Sequence, residues 1–338
     1  MIQTSAPTRI DLAGGTIDIW PLYLFHDGAQ TINTAISLRA HARIEERDDT
    51  RIVLRSEDTN QHVEFTDLAD LRQSDRLRLL SLLVHWFLRG PQAPPHARQS
   101  GLTLTTRCES PAGAGLAGSS ALNVAVCAAL AGWTRHHYDP EALLEVAMNV
   151  EAQTIKVPTG VQDYRPAMYG GTAALELKVD GVNRVPLDID TRELQRRIVL
   201  CYTGEPRHSG TNNWEITKRH LDGDPHIFDC FERIRDTAAR MREALVQGDW
   251  DAVGRAIHDE WENRKRLAPS VSTPLIDDLI AAARRAGATA AKVCGAGGGG
   301  CLFCYAPPES ASAVREALGA GGARVLPYEI EKQGLWRG

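Results

Sequence analysis

Nothing in this 338-residue sequence is apolar for long enough to cross a bilayer: the longest run, residues 121–133, falls short of the ~20 residues a spanning helix needs. Residues 1–11 hold Arg9 and several polar side chains but no apolar core of the kind a secretory signal carries, so no signal is expected. An extended basic patch is also missing. The 38 Lys and Arg against 43 Asp and Glu leave a net charge of −5, which disfavours a nucleic-acid partner. Neither a Gly-x-Ser-x-Gly elbow nor a His-Glu-x-x-His pair occurs, and no internal repeat or low-complexity tract stands out. The seven cysteines are odd in number, scattered and mostly in apolar runs, and read as reduced thiols of a cytoplasmic protein. Cys301 and Cys304 have C-x-x-C spacing, but in a strand that separation points them to opposite faces, against a zinc knuckle or redox pair.

What is present suits a soluble globular chain long enough for two domains, with an ordinary composition. Its most informative stretch is Pro111-Ala-Gly-Ala-Gly-Leu-Ala-Gly-Ser-Ser120, between a strand-like run at 102–108 and the apolar, helix-like segment 121–133. Glycines at 113, 115 and 118 allow a tight turn and a close backbone approach to a ligand. The N–H groups and dipole of the following helix start suit a phosphate, and the hydroxyls of Ser119 and Ser120 supply neutral oxygens for a metal bridged to it. Alone, the stretch could also be a glycine turn capping a core helix. A Walker loop fails because Ser119 stands where lysine is required. A dinucleotide fingerprint is matched literally by Gly113, Gly115 and Gly118, but Asp139, the acid at the right distance, is followed by Pro140 and reads as a helix N-cap.

Along the chain, strands are expected at 5–12, 29–44 and 51–65, with a charged turn at 45–50. A helix follows at 77–88 and a proline-rich loop at 90–95. Residues 139–155 form a second helix in which Leu143, Val146, Ala147 and Val150 make the apolar stripe; Glu151 at its edge, taken by itself, reads as a solvated glutamate. A loop at 158–164 leads to a turn and strand at 168–179 and a further strand at 182–190. Past a boundary near 190 come a strand at 198–202, helices at 210–219, 227–247, 250–266 and 272–286, strand 288–293, the glycine loop 295–300, strand 301–306, helix 309–318 and a last strand 324–330. That order fits an α+β second domain.

Taken together, four segments carry a resemblance. Pro7-Thr-Arg-Ile-Asp-Leu-Ala-Gly-Gly-Thr-Ile-Asp18, the loop from Pro111, Gly160-Val-Gln-Asp163 and Lys292-Val-Cys-Gly-Ala-Gly-Gly-Gly-Gly300 stand in an order that resembles the GHMP small-molecule kinases over nearly the whole chain. The resemblance implies an α+β, two-domain fold: a ribosomal protein S5-like ATP-binding domain over 1–190 and a ferredoxin-like domain over 191–338. It implies ATP held by Pro111, Gly113, Gly115, Leu116, Gly118, Ser119 and Ser120, and magnesium held by Ser120 and Glu151. Asp163 matches the acid that accepts or orients the substrate hydroxyl, and Arg9 the basic residue beside it and the γ-phosphate. Phosphoryl transfer to an alcohol needs these parts: cations on the phosphates and an acid on the nucleophile.

Gly14, Gly15, Asp18, Gly295 and Gly297 fall on the side implied for the substrate, with Asp18 on sugar hydroxyls. The pattern is similar to the heptose 7-phosphate kinase and fucokinase branch, which phosphorylates a sugar at its anomeric C1. Where heptose kinases carry Gly-Gly-Gly-Thr-Asp, this chain has Gly14-Gly15-Thr16-Ile17-Asp18, a departure at Thr16-Ile17 before the acid that touches the substrate loop. A sugar phosphate would need cations, and Arg207, Arg165 and Lys156 are the candidates. The expected partners are thus a small sugar or sugar phosphate, with no nucleic acid and no membrane, bound by a monomer or homodimer. The alternatives are a kinase for an unphosphorylated sugar such as fucose, galactose or glucuronate; an NAD-dependent oxidoreductase; and a non-catalytic sugar sensor. A sensor should have lost the acid or metal ligands, whereas Asp163, Glu151 and Ser120 are all present.

Overall fold

The computed structural model describes residues 1–89, 100–205 and 209–338; the expected loop at 90–95 and Arg207 lie outside the described residues. Its first sheet grows around one long strand. β1 (Ile2–Ala13) and β2 (Gln30–Arg47) run antiparallel. At 18 residues β2 has room for two partners on its other edge, β6 (Thr172–Lys178) along its first half and β5 (Gly101–Cys108) along its second. Glu45, Glu46 and Arg47, expected in a turn, continue β2 because Gly101, Leu102 and Thr103 pair with them. The run at 51–65 is instead split into β3 (Ile52–Ser56) and β4 (Gln61–Phe65), a hairpin whose turn carries Asn60 at φ 51°. β3 lies parallel to β5, and β7 (Gly181–Pro186) pairs with β6.

Helices α1 (Leu68–Gln73), α2 (Arg78–Arg89), α3 (Gly118–Trp133), α4 (Pro140–Ile155) and α5 (Tyr164–Tyr169) precede β6 in the chain. α3 packs on β1 and β2 and against α2, α4 and α5. It is therefore buried on nearly all sides, which is why its sequence is apolar all round. Asp139 caps α4 by accepting from Glu141 N, with Pro140 opening the helix, so it is not a ribose acid.

The rest of the chain gives α6 (Thr191–Arg197), β8 (Ile198–Tyr202), α7 (Ser209–Leu221), α8 (Pro225–Gln247), α9 (Trp250–Lys265), α10 (Pro274–Arg285), β9 (Ala290–Val293), β10 (Cys301–Tyr305), α11 (Ala311–Ala320) and β11 (Arg324–Val325). The second sheet has the order β11-β8-β10-β9, all antiparallel. Cys301 faces the core formed with α8 and α9, and Cys304 the opposite core with α10 and α11, as alternation requires. None of the seven cysteines is in a disulfide. Ile10, Leu12 and Ile32 of the first sheet share one core with Met241, Leu245, Ile257 and Phe303 of the second half, so the two sheets are held together by apolar packing.

The last strand is shorter than expected. After Leu326 N bonds Leu200 O, the chain leaves the second sheet at Pro327 and returns to the first, where Glu329 O and Glu331 O accept from Ser37 N and Gly171 N. β12 (Trp336–Arg337) then pairs with β1. No helix among the described residues is long and apolar enough to cross a membrane.

Candidate active site

The loop before α3 is shaped by its glycines. Gly113 and Gly115 sit at φ 68° and 79°, and a Cβ on Gly118 would lie 2.6 Å from Ser110 Oγ, so close packing excludes a larger residue there. The loop is held from below by β1: Arg9 N donates to Leu116 O at 3.0 Å and Arg9 NH1 to Gly115 O at 2.8 Å. It is held from the other half by Cys301 N, which donates to Ala114 O at 2.7 Å. α3 then starts with no side-chain cap and no acid in its first turn, leaving its N–H groups and dipole for an anion. A cavity of about 340 Å3 runs along this loop, lined by Pro111, Gly113, Gly115, Gly118, Ser119 and Glu151 among others.

Beside it lies a second cavity of about 40 Å3, lined by Arg9, Thr16, Asp18, Gln162, Arg264 and Gly295. Gly160, Asp163 and Asn213 line both. Asp163 is fixed by Arg9, whose Nε and NH2 donate to Oδ1 at 3.1 and 2.5 Å. Arg9 is fully buried; desolvation alone would lower its pKa, but Asp163 and Asp11 outweigh that and push it up, so the guanidinium stays charged.

Glu151 gathers three hydroxyls: Ser119 Oγ donates to Oε1 at 2.6 Å, and Ser120 Oγ and Tyr164 OH donate to Oε2 at 3.1 and 2.7 Å. Burial pushes the Glu151 carboxyl up, against the pull of those donors. The solvated glutamate expected from the helical stripe alone is therefore corrected: its partners come from α3 and from α5, which helical spacing cannot show. Ser119 lines the cavity, whereas Ser120 is buried and turned inward to Glu151. Leu116, expected at the nucleotide, belongs instead to the core; its carbonyl is taken by Arg9 N and it lines neither cavity.

Asp18 lies 1% exposed at the small cavity and accepts from Gln162 N and Nε2 at 3.0 and 3.2 Å. Burial and then the charge of Asp163 push its carboxyl up to about 7. Gly14 and Gly15 line neither cavity; their place is structural. Gly14 N donates to Glu260 Oε1 at 3.2 Å, and a Cβ on Gly15 would lie 2.2 Å from Asp11 Oδ2. Gly295 lines the small cavity, and Gly297 packs against Val271 instead.

Arg264 was not visible as a site residue, since an arginine on an amphipathic helix carries no motif. From α9 its NH2 donates to Thr16 Oγ1 at 3.1 Å and to Gly295 O at 2.7 Å, joining the first and third glycine loops, while NH1 reaches Asp11 Oδ2 at 3.2 Å. Lys292 lies 3.4 Å from the same Asp11 oxygen and 3.8 Å from Glu260, all of them buried. Burial would raise the Asp11 carboxyl, but Lys292, Arg264 and Arg9 hold it below the usual range.

This geometry coincides with what the chain is similar to. The GHMP kinases N terminal domain model matches residues 84–171 and the GHMP kinases C terminal model residues 241–324, together just over half of the chain. D-glycero-alpha-D-manno-heptose 7-phosphate kinase of Campylobacter jejuni is 28% identical over 344 residues, covering 99% of each chain. Mevalonate kinase of Thermococcus sibiricus is 26% identical over 353 residues, covering 99% of this chain and 97% of that one. The crystal structure of a D-glycero-D-manno-heptose 1-phosphate kinase from Bacteroides thetaiotaomicron shares the fold at a TM-score of 0.80 and 24% identity, over 100% of this chain and 99% of the other. The chain belongs to the GHMP kinases. It is an ATP-dependent phosphotransferase that uses an alcohol group as acceptor, which removes the oxidoreductase reading of the glycine loop.

Proposed function

We propose that this kinase moves the γ-phosphoryl of ATP, with Mg2+, onto the anomeric hydroxyl of a heptose 7-phosphate. The observation that carries this is the place of Asp163, among the described residues the one carboxylate that lines both the loop cavity and the small polar cavity. With phosphates along residues 111–119 and a hydroxyl in the small cavity, Asp163 accepts or orients the hydroxyl proton, and Arg9 sits where charge builds on the transferred group. The small cavity suits a polyol. It is lined by the polar side chains of Thr16, Asp18, Gln162, Asn213 and Arg264, donors and acceptors of the kind that substrate hydroxyls pair with. The heptose itself is suggested by the kinase from C. jejuni, which matches end to end.

The residues fit magnesium: Glu151 and the hydroxyls of Ser119 or Ser120 are hard oxygen donors at the cavity, and a cation would offset the burial that raises Glu151. Among the described residues no cluster of three His, Cys, Asp or Glu is poised to hold a metal, so phosphates and waters would supply the remaining ligands. When bound, the ion neutralises phosphate charge.

A second reading, an unphosphorylated sugar, is favoured by one observation. Among the described residues the cations lining the small cavity are Arg9 and Arg264, engaged with Asp163 and with Asp11. Arg165 is tied to Val161 O and Glu141, and Lys156 caps α4 without lining either cavity. Neither of these two candidates is therefore placed to meet a 7-phosphate at the small cavity, and Arg207 lies outside the described residues. Acceptor-dependent ADP release against heptose 7-phosphate, fucose, galactose, glucuronate and mevalonate, with phosphorus NMR of the product, tests both readings. Heptose 7-phosphate should give the highest kcat/KM and an anomeric phosphate, and turnover of mevalonate alone would sink the sugar reading.

A further inference from the structure

Thr16 holds φ at 79°, a left-handed backbone that is unfavourable for a β-branched residue and ordinary for glycine. It is 7% exposed and cannot relax outward. Gly15 before it has no room for a side chain beside Asp11 and Arg264, and Ile19 N holds the Thr16 carbonyl at 3.3 Å. Arg264 NH2 fixes its hydroxyl at 3.1 Å, with the same nitrogen bound to Gly295 O. Of residues 14–16 it alone has a side chain, and it lines the cavity that holds Asp18 and Asp163. A strained residue that is over-determined by its neighbours and faces the acceptor has a reason to be there that packing alone does not supply.

We propose that Thr16 is a specificity-determining residue: its branched Cβ walls the acceptor cavity and rejects acceptors that are bulky beside the reacting hydroxyl. This rests on reading the small cavity as the acceptor site. The chemical class selected is a polyhydroxylated acceptor slender enough to pass the Thr16 methyl, and a glycine at this position would admit a wider one.

The test compares wild type, Thr16→Gly and Thr16→Val across one set of acceptors, the sugars above together with mevalonate. Thr16→Gly loses the bond to Arg264 but relieves the left-handed backbone, and should shift kcat/KM of at least one other acceptor tenfold or more relative to the best wild-type acceptor. Thr16→Val keeps the girth but loses the bond to Arg264, so its Tm should fall while the ranking of acceptors is retained. Equal scaling of every acceptor in Thr16→Gly, or a shift in ranking shared by Thr16→Val, would each overturn the proposal. A wild type that prefers mevalonate would count against the sugar reading only, since the ranking can still be compared.

Discussion

The carboxyl of Asp18 is deprived of water and faces the charge of Asp163, and both effects push it up to about 7 from an ordinary value near 3.8. The folded state therefore holds this proton more tightly than the unfolded chain. The stability linked to it is fully present below about pH 4 and is lost as pH rises through about 7, by up to about 4 kcal/mol for a shift of this size. Asp18→Asn should remove that loss: urea midpoints at pH 5 and 8 should converge in the variant, with a gain at pH 8, while the acceptor KM rises. Midpoints that fall in parallel with wild type would dismiss Asp18 as the titrating group. At this scale the sequence is most legible where motif order supplies the context, as for Arg9, Asp18 and Asp163. Arg264 and the strain at Thr16 were not legible, because an ion partner 253 positions away and a φ value leave no local pattern.

Three helices meet at Glu151: α4 carries it, the first turn of α3 supplies the two serine hydroxyls, and α5 supplies Tyr164. Glu151→Gln keeps the shape and removes the charge, so the Mg2+ concentration for half-maximal velocity at fixed ATP should rise about tenfold or more, and an unaltered titration would contradict its role as a ligand. The long helices were readable from period and punctuation. Asp139, Asp224, Asp249 and Thr273 accept from backbone N–H groups at the starts of α4, α8, α9 and α10. The short elements were not. α5 and α6 are one to two turns long, too brief for a period to show, and β12 exists only through its pairing with β1, since two residues have no propensity of their own to read.

The whole molecule is held across its two sheets by the shared apolar core and by a buried charge cluster, Asp11 of β1, Glu260 and Arg264 of α9 and Lys292 of β9. Lys292→Met would leave Asp11 and Glu260 with too little positive charge in a dry site. Breaking one side of such a cluster should cost about 3–5 kcal/mol in urea unfolding, and a loss below about 1 kcal/mol would show the cluster to be of little consequence. The sequence does not show that the chain end returns to the first sheet, because that path depends on backbone hydrogen bonds at Ser37 and Gly171. What the assembly brings together is one carboxylate at the junction of two cavities, and single-turnover phosphoryl transfer by Asp163→Asn with saturating ATP and acceptor tests this most directly. The variant should bind ATP nearly as wild type does while transfer slows about 10²–10⁴-fold; transfer at the wild-type rate would contradict the account.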